Sequence, residues 1–135
     1  MIVLDNTVMV AFSDQDHIHN AQAREIMVAH PGSLAMHSLT VAEFLVHPVR
    51  AGSGAAAYAK LTGPADQGNL GIVVLDPHSD QDGQPWPLHL AKVRADHNLK
   101  MPDAAVLAAA LASGGLVATF DKRLHQAAVD EGCAL

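Results

Sequence analysis

The chain of 135 residues is half hydrophobic, 16% charged and 4% aromatic, the size and balance of one domain that buries its own core. A single cysteine, Cys133, excludes an internal disulfide framework and a CxxC metal or redox pair, and no apolar run approaches the roughly 20 residues that span a bilayer. Eight Lys and Arg against fourteen Asp and Glu give a net charge of −6, which excludes a grip on nucleic acid by bulk positive charge but not nucleic acid as a substrate. A cytoplasmic protein is expected, with no targeting segment and no second domain.

In chain order, the first predicted strand is Ile2-Val3-Leu4, ended by Asp5 within the apolar opening. A helix is predicted over residues 21–28, a strand over 34–36, and a helix over 41–46 that Ser38 or Thr40 can start. A helix over 55–61 and a strand over 72–75 follow. The turn-rich stretch from Pro77 to Pro87 then leads to a helix over 88–95, with Asn98 suited to its left-handed end. Pro102 suits the first turn of a helix over 104–112, and Gly114 its end; a strand over 116–119 and a helix over 124–129 close the chain. The apolar strand runs are short and nearly continuous, as in strands buried on both faces of a parallel sheet. Strands alternating with helices predict one α/β domain over residues 1–135, three layers deep, with a central parallel sheet flanked by helices.

In such sheets ligands bind beyond the carboxyl ends of the strands, where Asp5, Asp76 and Asp121 stand. Two more acids come from helices. Glu43 lies in the apolar stretch Thr40-Val41-Ala42-Glu43-Phe44-Leu45-Val46 without a cation three or four residues away, and Asp103 opens the Ala-rich helix. Each has an ordinary explanation on its own: Asp103 as a first-turn acid favoured by the helix dipole, Asp121 as an N-cap, Glu43 as a solvated helix residue, Asp76 as a turn residue before Pro77. A cation site explains Asp5, Glu43, Asp103 and Asp121 together, and Asp76 is left to its turn.

Leu4-Asp5-Asn6-Thr7-Val8, Leu39-Thr40-Val41-Ala42-Glu43, Leu99-Lys100-Met101-Pro102-Asp103-Ala104 and Leu116-Val117-Ala118-Thr119-Phe120-Asp121, in that order, resemble a PIN domain, specifically a small VapC-type toxin ribonuclease of a toxin–antitoxin pair. The resemblance runs from Ile2 to about Glu131. It implies an endoribonuclease dependent on Mg²⁺ or Mn²⁺, with Asp5, Glu43, Asp103 and Asp121 holding the metal, Thr119 supporting the site, and a VapB-like antitoxin that blocks it. Many relatives place a small hydroxyl residue directly after the first aspartate; here Asn6 stands there and the hydroxyl follows at Thr7.

Phosphodiester hydrolysis needs an activated water and neutralised phosphoryl charge, which hard cations on oxygen ligands supply. Asp5, Asp103 and Asp121 are assigned as ligands, directly or through water, and Glu43 as a ligand or as the group that orients and deprotonates the water. Lys122 and Arg123, with Lys100 next, are the cations expected to contact RNA phosphates. The nine histidines show no HExxH pattern and are read as surface or packing residues, although His17 and His19 stand close together. Trp86 is read as an anchor for its loop. The Ala-rich stretches 55–59 and 104–112 are candidate packing faces for a homodimer or an antitoxin helix.

Three other readings compete. A haloacid-dehalogenase-type phosphatase needs a second Asp where Thr7 stands. A receiver domain needs an acidic pair after the first strand and a Lys after the last, which Asp5-Asn6 and Asp121 do not provide. A catalytically inactive PIN-like binding module is the non-enzymatic alternative.

Overall fold

A computed structural model describes residues 1–135. Four parallel strands, β1 (Ile2–Leu4), β2 (Leu34–His37), β3 (Val73–Leu75) and β4 (Leu116–Ala118), form one sheet in the order β3-β2-β1-β4. Ile2 lies opposite both Leu34 and Leu116, and Val3 opposite Ala35 and Val117. The strand residues alternate between two cores as the pleat requires. Ile2, Leu4, Leu34 and Met36 join one apolar cluster, while Val3 and Val117 join the other.

The first cluster is covered by α1 (Asn6–Ser13), α2 (Asn20–Ala29), α3 (Ser38–Arg50) and α4 (Gly54–Thr62). The second is covered by α5 (Trp86–His97), α6 (Met101–Ser113) and α7 (Lys122–Asp130). The architecture is therefore the three-layer α/β arrangement with a central parallel sheet. No helix is long and apolar enough to cross a membrane.

Helix α6 lies at the centre of its layer. Every residue from Ala104 to Ala110 is buried, as befits a helix apolar all round, and the run of alanines lets neighbouring elements approach closely. That burial removes residues 104–110 from the expected partner faces; the stretch is core. In α4, by contrast, Ala55, Ala56 and Ala59 are exposed beside Tyr58. Asn98 (φ 52°) and Gly114 (φ 68°) end α5 and α6 in left-handed conformations, where the expected residue types stand.

Two departures from the predicted elements have physical causes. Helix α1 was not foreseen, because Thr7, Val8 and Val10 are β-branched residues of lower helix propensity; burial of Val8, Met9 and Ala11 against α2 and α3 overrides that preference. Helix α3 runs beyond the expected 41–46 in both directions. His37 caps its start by accepting the Leu39 N–H at 3.0 Å, and the helix continues past Pro48 to Arg50.

Leu107 is fully buried in the α6 layer. Leu107→Ala is expected to cost about 3 kcal/mol through lost contacts and a residual cavity, measured by urea unfolding. A loss below about 1 kcal/mol would contradict this packing.

Candidate active site

The strand order reverses at β1, whose neighbours are β2 on one side and β4 on the other. The carboxyl ends of β1 and β4 therefore flank a switch point, the place where open α/β sheets leave a crevice. Asp5 follows β1 directly, and Thr119, Phe120 and Asp121 follow β4. From the two layers, α3 contributes Glu43 and the first turn of α6 contributes Asp103. Asp5, Glu43, Asp103 and Asp121 all line one cleft of about 350 Å³, together with Asn6, Thr7, Val10, His17, His19 and Phe120.

Hydrogen bonds fix three of the four carboxylates. Asp5, only 6% exposed, accepts at Oδ2 from the hydroxyls of Thr7 and Thr119, each at 2.7 Å. Each hydroxyl accepts in turn a backbone N–H at 3.0 Å: Phe120 donates to Thr7 and Asp121 to Thr119. Asn6 Nδ2 donates to Glu43 Oε1 at 2.9 Å. Asp121 Oδ1 accepts the Leu124 N–H at 2.9 Å, so this residue is the N-cap of α7 and a wall of the cleft at once. Asn6 and Thr7 thus divide the work, the amide orienting Glu43 and the hydroxyl orienting Asp5. One oxygen of each of the three carboxylates has its partner, and the other is open to a ligand.

Asp103 reports the electrostatics of the cleft. Burial, then repulsion from Asp5, Asp121 and Glu43, push its carboxyl up to about 6, against a smaller opposing pull from Lys100. The protein's ion pairs, His89–Asp80, Lys92–Asp96 and His97–Glu131, involve none of the four acids. No salt bridge compensates the negative charge in the cleft, and Lys100 offsets it only in part.

No three acidic, histidine or cysteine side chains stand close enough to enclose an ion by themselves. The donor set nevertheless suits a hard cation that keeps several of its waters and takes few protein ligands. Four carboxylates line one cleft without a salt-bridge partner, and the buried Asn6 Oδ1 has no hydrogen-bond partner. The residues present fit Mg²⁺ or Mn²⁺.

Lys100, Lys122 and Arg123 are exposed and lie outside the lining of the cleft. Asp76 is exposed and accepts from Ser38 Oγ at 3.2 Å, away from the acids. Trp86 packs against the α6 layer and stacks on His37 with ring centroids 5.6 Å apart. His17 and His19 do reach the cleft. Their close spacing was visible in the sequence, but only the fold brings the connection between α1 and α2 against the β4–α7 turn, where His19 stacks on Phe120.

The family model described as PIN domain matches residues 2–130, and the chain belongs to the PIN domain family, whose members are generally nucleases. Among solved structures, the chain is similar to PAE2754 from Pyrobaculum aerophilum, with 21% identity and a TM-score of 0.60, covering 99% of this chain and 88% of that one. It is also similar to FitAcB from Neisseria gonorrhoeae, with 18% identity and a TM-score of 0.66, covering 96% of this chain and 94% of that one. Both likenesses speak for the fold. No curated protein matches the chain.

The folded Asp103 carboxyl titrates near 6 against 3.8 for a free one, so the native state binds more protons than the unfolded state between these values. Stability contributed by the protonated form is present below about pH 4 and is lost as pH rises through about 6. Solvent around this partly exposed group screens the effect to about 1 kcal/mol. Asp103→Asn is therefore expected to raise the melting temperature in chelator at pH 7 and to flatten its fall between pH 4 and 6. A lower melting temperature for the variant would mean that Asp103 serves only the start of α6.

Proposed function

We propose that the chain is a Mg²⁺- or Mn²⁺-dependent endoribonuclease of the VapC toxin type, a single nuclease domain that acts in the cytoplasm and is neutralised by a VapB-like antitoxin. The observation that carries this reading is the meeting of Asp5, Glu43, Asp103 and Asp121 in one cleft at the sheet's switch point with no salt-bridge partner. Membership of a family of nucleases supports it. The four carboxylates carry four of the six net negative charges, so once they are neutralised the remainder of the chain presents little barrier to a polyanion.

Asp5 Oδ1, Asp121 Oδ2 and the Asp103 carboxylate are the groups that would hold the cation. Bound there, Mg²⁺ or Mn²⁺ supplies neutralisation of the phosphoryl oxygens and a water made acidic enough to attack. The chain's own residues do the positioning. Thr7 and Thr119 keep Asp5 from rotating, the Asp121 cap keeps that carboxylate at the mouth of β4, and Asn6 leaves Glu43 Oε2 free to orient and deprotonate the attacking water. Lys100, Lys122 and Arg123, exposed and outside the lining of the cleft, are the cations we assign to the flanking strand of RNA. The exposed face of α4, with Ala55, Ala56, Tyr58 and Ala59, is the surface we assign to a homodimer or to the antitoxin.

The antitoxin-free protein is expected to cut total cellular RNA in Mg²⁺ or Mn²⁺ and to stop in chelator, with discrete new ends on mapping. Asp5→Asn should keep the fold and lose at least about a hundredfold in rate, the order expected when a group central to charge stabilisation is removed. Expression of the wild-type chain alone should slow growth, and expression of the Asp5→Asn chain should not. Equal growth of both, with no cleavage by the wild type, would favour the inactive binding module.

A further inference from the structure

The lining of the acidic cleft contains neither lysine nor arginine, although a phosphodiester must lie there if the cleft cuts RNA. The side-chain donors of Thr7 and Thr119 are spent on Asp5, and Asn6 donates to Glu43. What remains is the second N–H of the Asn6 amide and the imidazoles of His17 and His19. His17 Nδ1 accepts the backbone N–H of His19 at 3.0 Å, so the neutral ring carries its proton on Nε2 as a free donor.

The connection that holds this ring is tied at several points. His17 N–H donates to Asp14 O, and Asn20 N–H to His17 O, each at 3.0 Å. Asn20 Nδ2 reaches back to Ala11 O at 2.8 Å at the end of α1. His19 lies flat on Phe120, with centroids 4.5 Å apart and planes at 15°, and its buried Nδ1 has no partner.

We propose that His17 contacts the substrate: its Nε2–H donates to a phosphate oxygen of the RNA strand in the acidic cleft, while His19 and Phe120 are positioning residues that fix the ring. The proposal rests on the reading of the cleft as an RNA-cleaving site. The contact requires only the Nε2–H that the Nδ1 hydrogen bond leaves free. It gives an acidic protein a way to hold phosphate beside its carboxylates without a fixed positive charge that would compete for them.

The test compares wild type, His17→Ala, His17→Phe and His17→Gln on a short fluorogenic single-stranded RNA in Mn²⁺, with thermal melts of each chain across a Mn²⁺ titration. Loss of one neutral hydrogen bond should raise KM about five- to tenfold in the Ala and Phe variants. Their kcat should stay within about twofold, and their stabilisation by Mn²⁺ should match the wild type. Gln, which restores an N–H donor, should recover most of the loss. A KM unchanged in His17→Ala and His17→Phe, beside an active wild type, overturns the role of His17 and leaves the nuclease reading standing. Loss of the Mn²⁺ response in these variants would instead assign His17 to the cation or the fold and overturn the proposal. An inactive wild type would remove both readings.

Discussion

Two hydroxyls meet on one carboxylate oxygen. Thr7, from the first turn of α1, and Thr119, at the end of β4, both donate to Asp5 Oδ2, and both accept backbone N–H groups from the segment that leads into α7. The interaction closes a loop between residues more than a hundred positions apart. It holds the ends of β1 and β4 in register beyond their last ladder bond, satisfies a buried charge that would otherwise be expensive, and fixes the rotamer of Asp5 so that its second oxygen faces the cleft. Everything else at the site is arranged around that fixed point.

The other carboxylates arrive on rigid elements from both layers. Helix α6 is locked by its buried alanines, so Asp103 in its first turn cannot withdraw from the acids that raise its pKa. Helix α7 needs Asp121 as its N-cap, so this acid is retained by local structure as well as by its place in the cleft. Such a cluster opposes folding, since repulsion among its carboxylates costs free energy that no salt bridge in this protein returns. Local rules yield to function here in the way expected of sites rather than scaffolds.

The sheet and most helices were legible because short apolar runs between turn residues have few other uses in a chain of this size. The four acids could be picked out as candidates because Glu43 lacked a cation on its own helix, Asp5 and Asp121 followed apolar strands, and Asp103 opened the Ala-rich helix. Helix α1 was not, since its β-branched residues favour helix only through the core they fill. Nor was the place of His17 and His19: an HxH pair reads as surface until the turn after β4 is brought beside it. The stretch 104–112 reads equally as core or as interface, and only the burial of Ala104 through Ala110 decides for core. Trp86 had one partner visible only in three dimensions, His37.

We propose that the four carboxylates of the cleft, with Asp5 fixed by its two hydroxyls, form a seat for a divalent cation. Electron paramagnetic resonance of free Mn²⁺ tests this without substrate and without turnover. Titration into the wild-type chain should remove the free-ion signal at a saturable stoichiometry of one or two ions, as few-ligand sites allow. Asp5→Asn, folded by its thermal melt, should weaken that binding at least about tenfold, the loss typical of disturbing a site's ligands or their supports. A wild-type chain that leaves the Mn²⁺ signal untouched, or an Asp5→Asn chain that binds equally well, would contradict the account.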